Sequence, residues 1–258
     1  MEKWEKPLSE ADTGNKESTC EGTRQRCAEY FAGEAGADMI AEAAEEYVLS
    51  KKGEPIARLV SDVLAEYAMT RQHGKCTLKD YLALPDDPRV ELIDGVIYDM
   101  AGPHYLHQSF VGTIYRIFEN FIEDNHGPCE AFVSPLDVQL DCDDKTVVQP
   151  DVLILCDLKK LRNGHVFGAP DLVVEVLSPS TSKRDQGLKV AKYKLAGVRE
   201  YWLIDPRRKR VLVYEFEKRD SAKIYGFADT VPVGIYDGAC TVDFARIYDR
   251  IRFMYETI

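Results

Sequence analysis

The sequence reads VVQPDVLIL at residues 147–155 and DLVVEVL at residues 171–177, and these two runs decide the fold. Each is almost continuously apolar, as expected for a strand that is covered on both faces of a sheet. An acid interrupts the apolar residues of each run, Asp151 directly before Val152–Leu155 and Glu175 within Leu172–Leu177. Burying a carboxylate without a partner is costly. Both acids therefore need a cation, a backbone amide or a metal ion beside them.

Two kinds of partner are open for these acids. Carboxylates on neighbouring strands, with main-chain carbonyls nearby, form the hard oxygen site that suits Mg²⁺ or Mn²⁺. The alternative is a buried salt bridge to an arginine or lysine. The two runs by themselves do not decide between a metal site and an ion pair.

Sequence patterns elsewhere in residues 77–258 predict helices and further strands before and after these two runs. Asp94-Gly95 between two apolar runs predicts a β-hairpin. Apolar spacing predicts two helices, at about Tyr105–Asn125 and at Asp185–Ala196, the second ended by Gly197. Further strands are predicted at Ala131–Leu140, Val147–Cys156, Leu172–Leu177, Glu200–Ile204 and Val211–Phe216. This order predicts a mixed α/β sheet flanked by helices.

The N-terminal part of the chain has a different pattern. Residues 1–37 are polar and rich in glycine, which predicts a weakly ordered segment. Residues 38–76 predict a helical hairpin, and the stripe from Ile56 to Tyr67 follows the spacing of an amphipathic helix. Such a stripe needs a covering surface. We expect it to pack on the domain at 77–258 or on a second copy of the chain, as a possible homodimer.

Composition limits the class of protein. No run of about 18 apolar residues is present, so no membrane span is expected. The polar first ten residues lack the apolar stretch of a signal peptide, which favours a cytoplasmic location. The seven cysteines are odd in number and scattered, which argues for reduced thiols rather than a disulfide framework. The net charge of −11 is not that of a typical nucleic-acid-binding protein.

Four stretches carry a resemblance to a known family. They read TLKDYLALPDDPRVELIDGVIYDM at 77–100, VVQPDVLIL at 147–155, DLVVEVLSPSTSKRD at 171–185 and GLKVAKYKLAGVREYWLIDP at 187–206. Together they resemble the Uma-two family of bacterial restriction endonucleases, within the PD-(D/E)XK nuclease superfamily. The resemblance implies a restriction-endonuclease-like mixed sheet flanked by helices, here with an N-terminal helical extension.

The resemblance also implies the metal-binding residues. Asp151 and Glu175, with the main-chain carbonyl of Val176, would hold one or two Mg²⁺ or Mn²⁺ ions. The position two residues after Glu175, where the superfamily has a catalytic lysine, holds Leu177. We expect Lys189 to replace it, because it lies on the next helix and long lysine stems can reach past apolar surface. The alternative for Lys189 is a solvated helix face.

Two further residues are candidates for catalysis. Glu91 lies in the first hairpin strand, where the family also has an acid, and it would add a third carboxylate. An ordinary solvent-facing residue is the alternative. His107, at the start of the long helix, would bind a phosphate or orient a water, and a capping or packing role is equally open.

The function that follows from these residues is metal-dependent hydrolysis of DNA phosphodiester bonds. Leu177 and the net charge favour a rival, a binding or regulatory module that retains the nuclease fold without turnover. A second rival is a metal-dependent hydrolase of smaller phosphate esters.

Overall fold

The computed structural model describes residues 59–70, 73–85, 87–100, 102–178 and 185–257. The polar segment 1–37, the first predicted helix of the N-terminal hairpin and Ile56 lie outside the described residues. The helices are α1 (Val60–Thr70), α2 (Leu78–Leu82), α3 (Tyr105–Asp124), α4 (Leu188–Ala196) and α5 (Phe244–Ile251). Short 3₁₀ turns occur at Leu158–Lys160, Gly234–Tyr236 and Arg252–Thr257.

The strands divide among one large sheet and three small ones. They are β1 (Val90–Ile93), β2 (Val96–Asp99), β3 (Glu130–Val133), β4 (Val138–Gln139), β5 (Val152–Leu155), β6 (Leu161–Arg162), β7 (His165–Phe167), β8 (Leu172–Val176), β9 (Glu200–Asp205), β10 (Arg210–Glu215), β11 (Lys223–Gly226), β12 (Thr230–Pro232) and β13 (Thr241–Asp243). The large sheet has the order β11-β10-β9-β8-β5-β3. Only β8 and β9 run parallel in it, and α4 makes the crossover that parallel strands require.

Helices cover both faces of this sheet, and alternation along the strands decides which side chains meet them. Leu153, Val173 and Leu203 belong to the core under α1 and α4. Their neighbours Val152 and Val174 belong to the core under α3 and α5. Since strand side chains alternate between faces, both sides of β5 and β8 are apolar. The predicted mixed sheet flanked by helices is confirmed.

Helix α1 is an integral part of the first of these cores. Val60, Val63, Leu64 and Tyr67 are all buried there, next to residues of α4. The described part of the Ile56–Tyr67 stripe is thus covered by its own chain except at Leu59, which is 45% exposed. The four buried residues are not available as a contact between two copies. The domain boundary at residue 77 stays a prediction.

The packing of α1 gives a stability prediction. Leu64→Ala should lower the free energy of unfolding by about 2–5 kcal/mol, because it leaves a cavity in a filled core. Met69, on the same helix, is 74% exposed, and Met69→Ala should change stability by less than about 0.5 kcal/mol. Urea unfolding followed by circular dichroism measures both. Equal effects of the two substitutions would contradict the packing.

The predicted hairpin is present and is joined to the segment before β5. Asp94 and Gly95 have φ angles of 51° and 77°, as a two-residue type I′ turn requires. Leu92 and Val147 exchange two backbone hydrogen bonds of 2.9 and 2.7 Å. This contact holds β1 beside the chain that leads into Asp151.

Two predicted strands are shorter in the structure. The run Ala131–Leu140 forms β3 and β4, which belong to different sheets. Pro135 lies between them, and a proline cannot donate a hydrogen bond to a strand ladder. The run Val147–Cys156 becomes β5 only after Pro150, while Val147 and Val148 form isolated bridges.

The expectation of reduced thiols is wrong at one pair. Cys129 and Cys156 form a disulfide, whereas the other cysteines in the described part of the chain, Cys76, Cys142 and Cys240, are not disulfide-bonded. The antiparallel register pairs Glu130 with Leu155, which places the two cysteines opposite each other one position further on. Spacing along the sequence cannot reveal such a register.

None of the described helices is long and apolar enough to cross a bilayer.

Candidate active site

Asp151 and Glu175 meet where β5 begins and β8 ends. The register pairs Val152 with Val174, so Asp151 lies opposite Glu175 one position further on. Residues directly opposite each other in an antiparallel pair have Cβ atoms about 4.5–5.5 Å apart. Alternation also places both acids on the sheet face that α4 covers, and both line the same cleft. This is the arrangement that the sequence predicts for the pair.

Asp151 is held by two neighbours. Its Oδ2 accepts a hydrogen bond of 2.7 Å from the backbone N–H of Val176. The same oxygen lies 3.0 Å from Nε2 of His107, on the first turn of α3. Since the N–H and C=O of a strand residue point to the same side, the carbonyl of Val176 also faces the start of β5. His107 thus contacts Asp151 directly.

Lys189 lies at the centre of a buried group of carboxylates. Its Nζ is 2.8 Å from Oε1 of Glu175 and 2.8 Å from Oε1 of Glu91. Asp185, one turn earlier on the same stretch of chain, lies 3.6 Å away. Lys189 is 3% exposed, so it does not lie on a solvated helix face. The ammonium group of Lys189 thus reaches the carboxylate of Glu175, as a replacement for the missing lysine requires. Its role in catalysis stays a prediction.

Glu91 is buried rather than solvent-facing. It is 0% exposed, and its Oε1 also accepts a hydrogen bond of 3.0 Å from the backbone N–H of Gln149. Gln149 is only two residues before Asp151. The hairpin therefore brings a third carboxylate to the site, in contact with Lys189 of α4.

The charges in this group are strongly coupled. Burial raises the pKa of Glu175 well above its usual value, Lys189 lowers it, and Asp151, Asp185 and Glu91 raise it further. Burial alone would lower the pKa of Lys189, but Glu175, Glu91 and Asp185 raise it well above its usual value. Lys189 thus remains a cation. The site has an excess of negative charge that an added cation would relieve.

Leu177 leaves the usual lysine position without a charge. It is buried, and the lysine of α4 reaches the same carboxylate from across the layer. The buried salt bridge that was the alternative partner for Glu175 is therefore present, formed with Lys189. Asp151 lines the same cleft as this ion pair. Lys192, one turn further along α4, belongs to a different group, since its Nζ is 2.8 Å from Asp94 and also contacts Asp141.

Sequence reasoning missed several residues around the site. The volume of the cleft is about 520 Å³, and Tyr193 is buried outside its lining. Tyr193, on α4, donates a hydrogen bond of 2.9 Å to Glu175. Its spacing of eight from Asp185 was a readable signal, because residues four apart share a helix face. Three residues that line the cleft have no comparable spacing pattern in the sequence: Arg89, Arg207 and Tyr255.

The donor set fits a divalent metal ion. Among the described residues, no group of three or more His, Cys, Asp and Glu side chains comes together in a way that could hold a metal ion. Mg²⁺, however, is usually bound through only one or two carboxylates, with waters completing its shell. Asp151, Glu175 and the Val176 carbonyl supply such hard oxygen ligands. Within the part of the chain that the structure describes, carboxylates outnumber cations around Glu175, which also favours a bound cation.

Comparison with known proteins gives three findings. Residues 78–233 match the model of the family Uma2, described as "Putative restriction endonuclease". An uncharacterized protein of Synechocystis sp. is 33% identical over 121 residues, which are 46% of this chain and 62% of that relative. The crystal structure of a putative nuclease belonging to DUF820 from Anabaena variabilis has a TM-score of 0.54 and 22% identity, covering 67% of this chain and 97% of that chain. This last likeness concerns the fold.

Proposed function

Because this chain belongs to the Uma2 family of putative restriction endonucleases, we propose that it is a divalent-metal-dependent endonuclease that hydrolyses DNA phosphodiester bonds. The observation that carries the proposal is the position of Lys189. A cation is present at 2.8 Å from Glu175 although the usual lysine position is Leu177. We place this activity in the cytoplasm.

Asp151, Glu175 and the carbonyl of Val176 would hold Mg²⁺ or Mn²⁺. Restriction-endonuclease-like families generally use divalent metals. When bound, such an ion supplies activation of water and stabilisation of the charge on the phosphate. Val176 and His107 fix the orientation of Asp151 through the contacts at its Oδ2.

Lys189 acts as a cation rather than a base. Its raised pKa means that it keeps its proton at neutral pH and cannot readily take one from water. Its charge instead neutralises the phosphate as negative charge develops there. Glu91 also lies 2.8 Å from Nζ of Lys189 and helps to keep the ammonium group at the cleft.

Homodimerisation has no support among the described residues. The face of α1 that would mediate it is packed in its own chain. DNA is the partner that this proposal requires.

Plasmid DNA tests the proposal against its rivals. The wild-type protein should nick supercoiled plasmid with Mg²⁺ or Mn²⁺ and should be inactive in EDTA. Nicking that persists in EDTA would exclude the metal-dependent mechanism. Binding of plasmid without nicking at any metal concentration would favour a non-catalytic module. Turnover of bis(p-nitrophenyl) phosphate or nucleotides without nicking would favour a hydrolase of small esters.

His107 gives a prediction for a positioning residue. His107→Ala should lower the rate of plasmid nicking by about 10–100-fold, the usual effect of removing a group that orients a metal ligand. The Mn²⁺ concentration for half-maximal nicking should rise as well, because Asp151 loses one of its two fixed contacts. His165→Ala, on β7 outside the cleft, is the matched control and should behave as wild type. Unchanged Mn²⁺ dependence in His107→Ala would show that His107 has only a packing role.

A further inference from the structure

The residues that line the cleft indicate whether it binds single-stranded or double-stranded DNA. This inference rests on the proposed function. We infer that the cleft binds an unpaired nucleotide of single-stranded DNA. Its base would lie against Met100, Pro103 and Tyr255, and its neighbouring phosphates would contact Arg89 and Arg207. All five residues line the cleft that contains the carboxylates.

The apolar wall comes from three separate elements. Met100 follows β2, Pro103 precedes α3, and Tyr255 lies in the last 3₁₀ turn. All three side chains are at least partly exposed. Such surfaces accept the flat face of any base, which is how proteins bind single strands without sequence preference.

Tyr255 offers its ring rather than its hydroxyl group. The hydroxyl oxygen is buried and has no hydrogen-bond partner among the described residues. The ring is held by an edge contact with Tyr248, at 5.4 Å between centroids, and by Nζ of Lys209, 5.3 Å from its centroid. A fixed ring loses little conformational freedom when a base stacks on it, which favours binding.

The size of the cleft favours one nucleotide. Its volume of about 520 Å³ falls within the range of about 300–1,000 Å³ typical of pockets for single small ligands. The bases of a duplex are stacked inside and cannot reach such a wall unless a nucleotide is extruded, which costs unstacking and unpairing energy. A single strand presents its bases without that cost.

Charge favours a single strand as well. The chain has a net charge of −11, and four acids line the cleft: Glu91, Asp151, Glu175 and Asp185. A duplex carries one negative charge per roughly 1.7 Å of its axis, whereas a strand alone carries one per roughly 3.4 Å. An acidic protein therefore repels a single strand less.

The two arginines come from different elements around the strands that carry the carboxylates. Arg89 precedes β1, which is attached to the chain before β5. Arg207 follows β9, the neighbour of β8 on the side away from β5. A DNA strand that contacts both arginines would lie in the cleft that also contains Asp151 and Glu175.

Binding in Ca²⁺, measured by fluorescence anisotropy, tests the inference independently of cleavage. The probes are a labelled 12-nucleotide strand and the same strand annealed to its complement. The strand should bind at least about tenfold more tightly than the duplex. Tyr255→Ala should weaken binding of the strand about tenfold, the effect of losing one stacked base. Met100→Ala truncates another residue of the same wall and should also weaken binding of the strand.

Tyr255→Phe is the control for Tyr255→Ala. This variant keeps the ring and removes only a hydroxyl that makes no hydrogen bond within the described ranges of the chain, so its affinity should equal that of wild type. Equal or tighter binding of the duplex would overturn the inference, as would unchanged binding in both Tyr255→Ala and Met100→Ala. Neither outcome would affect the proposed function, whose test is metal-dependent nicking.

The salt dependence of binding tests the two arginines. Each phosphate contact with a single strand contributes about −0.7 to the slope of log K against log salt concentration. Arg89→Ala and Arg207→Ala should each reduce the slope by about that amount. Arg199→Ala is the control, because Arg199 precedes β9 at the end of the strand away from Arg207 and pairs with Asp171. If the slopes of both variants equal that of Arg199→Ala, Arg89 and Arg207 do not contact the phosphates of the bound strand.

Discussion

Lys189→Met should abolish metal-dependent nicking and lower the free energy of unfolding by about 3–5 kcal/mol, the usual cost of removing one partner from a buried ion pair. A lysine on a solvated helix face, the alternative that the sequence left open, could be replaced without loss of stability. The burial of Lys189 at 3% exposure, between Glu91 and Glu175, changes that expectation. Methionine fills a similar volume but leaves the carboxylates without their cation. Plasmid nicking and urea unfolding measure the two effects.

A double variant separates catalysis from stability. Asp185 lies 3.6 Å from Lys189 and is not part of the proposed metal site. Adding Asp185→Asn to Lys189→Met removes one uncompensated carboxylate, so part of the lost stability should return. Nicking should remain absent. A double variant that regained nicking together with stability would show that Lys189 acts only through the fold.

The loss of stability in Lys189→Met should depend on pH. Lys189 lowers the pKa of Glu175, which burial raises. Without Lys189 this pKa moves further above its value in the unfolded chain. The folded variant then keeps a proton that the unfolded chain releases, so its stability falls as pH rises through the folded pKa. The deficit relative to wild type should be smaller at about pH 5 than at about pH 8.

Local patterns were sufficient for much of the fold. The long helix from Tyr105 and the Asp94-Gly95 hairpin are encoded in side-chain spacing and turn residues, which act over a few positions. Long-range pairing is not encoded in this way. The disulfide between Cys129 and Cys156 depends on the register of β3 and β5, and no spacing rule gives that register. Strands β11 to β13 are short and partly polar, so they lack a clear periodic pattern.

The residues of the candidate site also divide into those that a local sequence pattern marks and those that it does not. Asp151 and Glu175 could be selected because an acid inside an apolar run needs a partner. Lys189 could be selected because it lies on the helix between the two parallel strands. Arg207 and Tyr255 could not, because they reach the cleft only through packing of segments distant in the sequence. An exposed arginine or a tyrosine near the end of the chain has no local feature that marks it.

Asp151→Asn should abolish nicking without unfolding the protein. Asparagine has the same shape, and its carbonyl oxygen can still accept the hydrogen bond from Val176. The free energy of unfolding without metal should therefore change by no more than about 1 kcal/mol. The response to Mn²⁺ should disappear. Wild type should gain about 2.7 kcal/mol of stability at a metal concentration one hundred times its Kd, since an ion that binds only the folded state stabilises it.

Asp171 offers a closely matched control for this substitution. Its Oδ2 accepts a hydrogen bond of 2.8 Å from the backbone N–H of Cys156, just as Asp151 accepts one of 2.7 Å from Val176. The two acids precede neighbouring antiparallel strands at opposite ends, but Asp171 is away from the cleft. Asp171→Asn should therefore keep both nicking and the stabilisation by Mn²⁺. If Asp151→Asn is stabilised by Mn²⁺ as much as Asp171→Asn, Asp151 is not a metal ligand and its contact with His107 serves the fold alone.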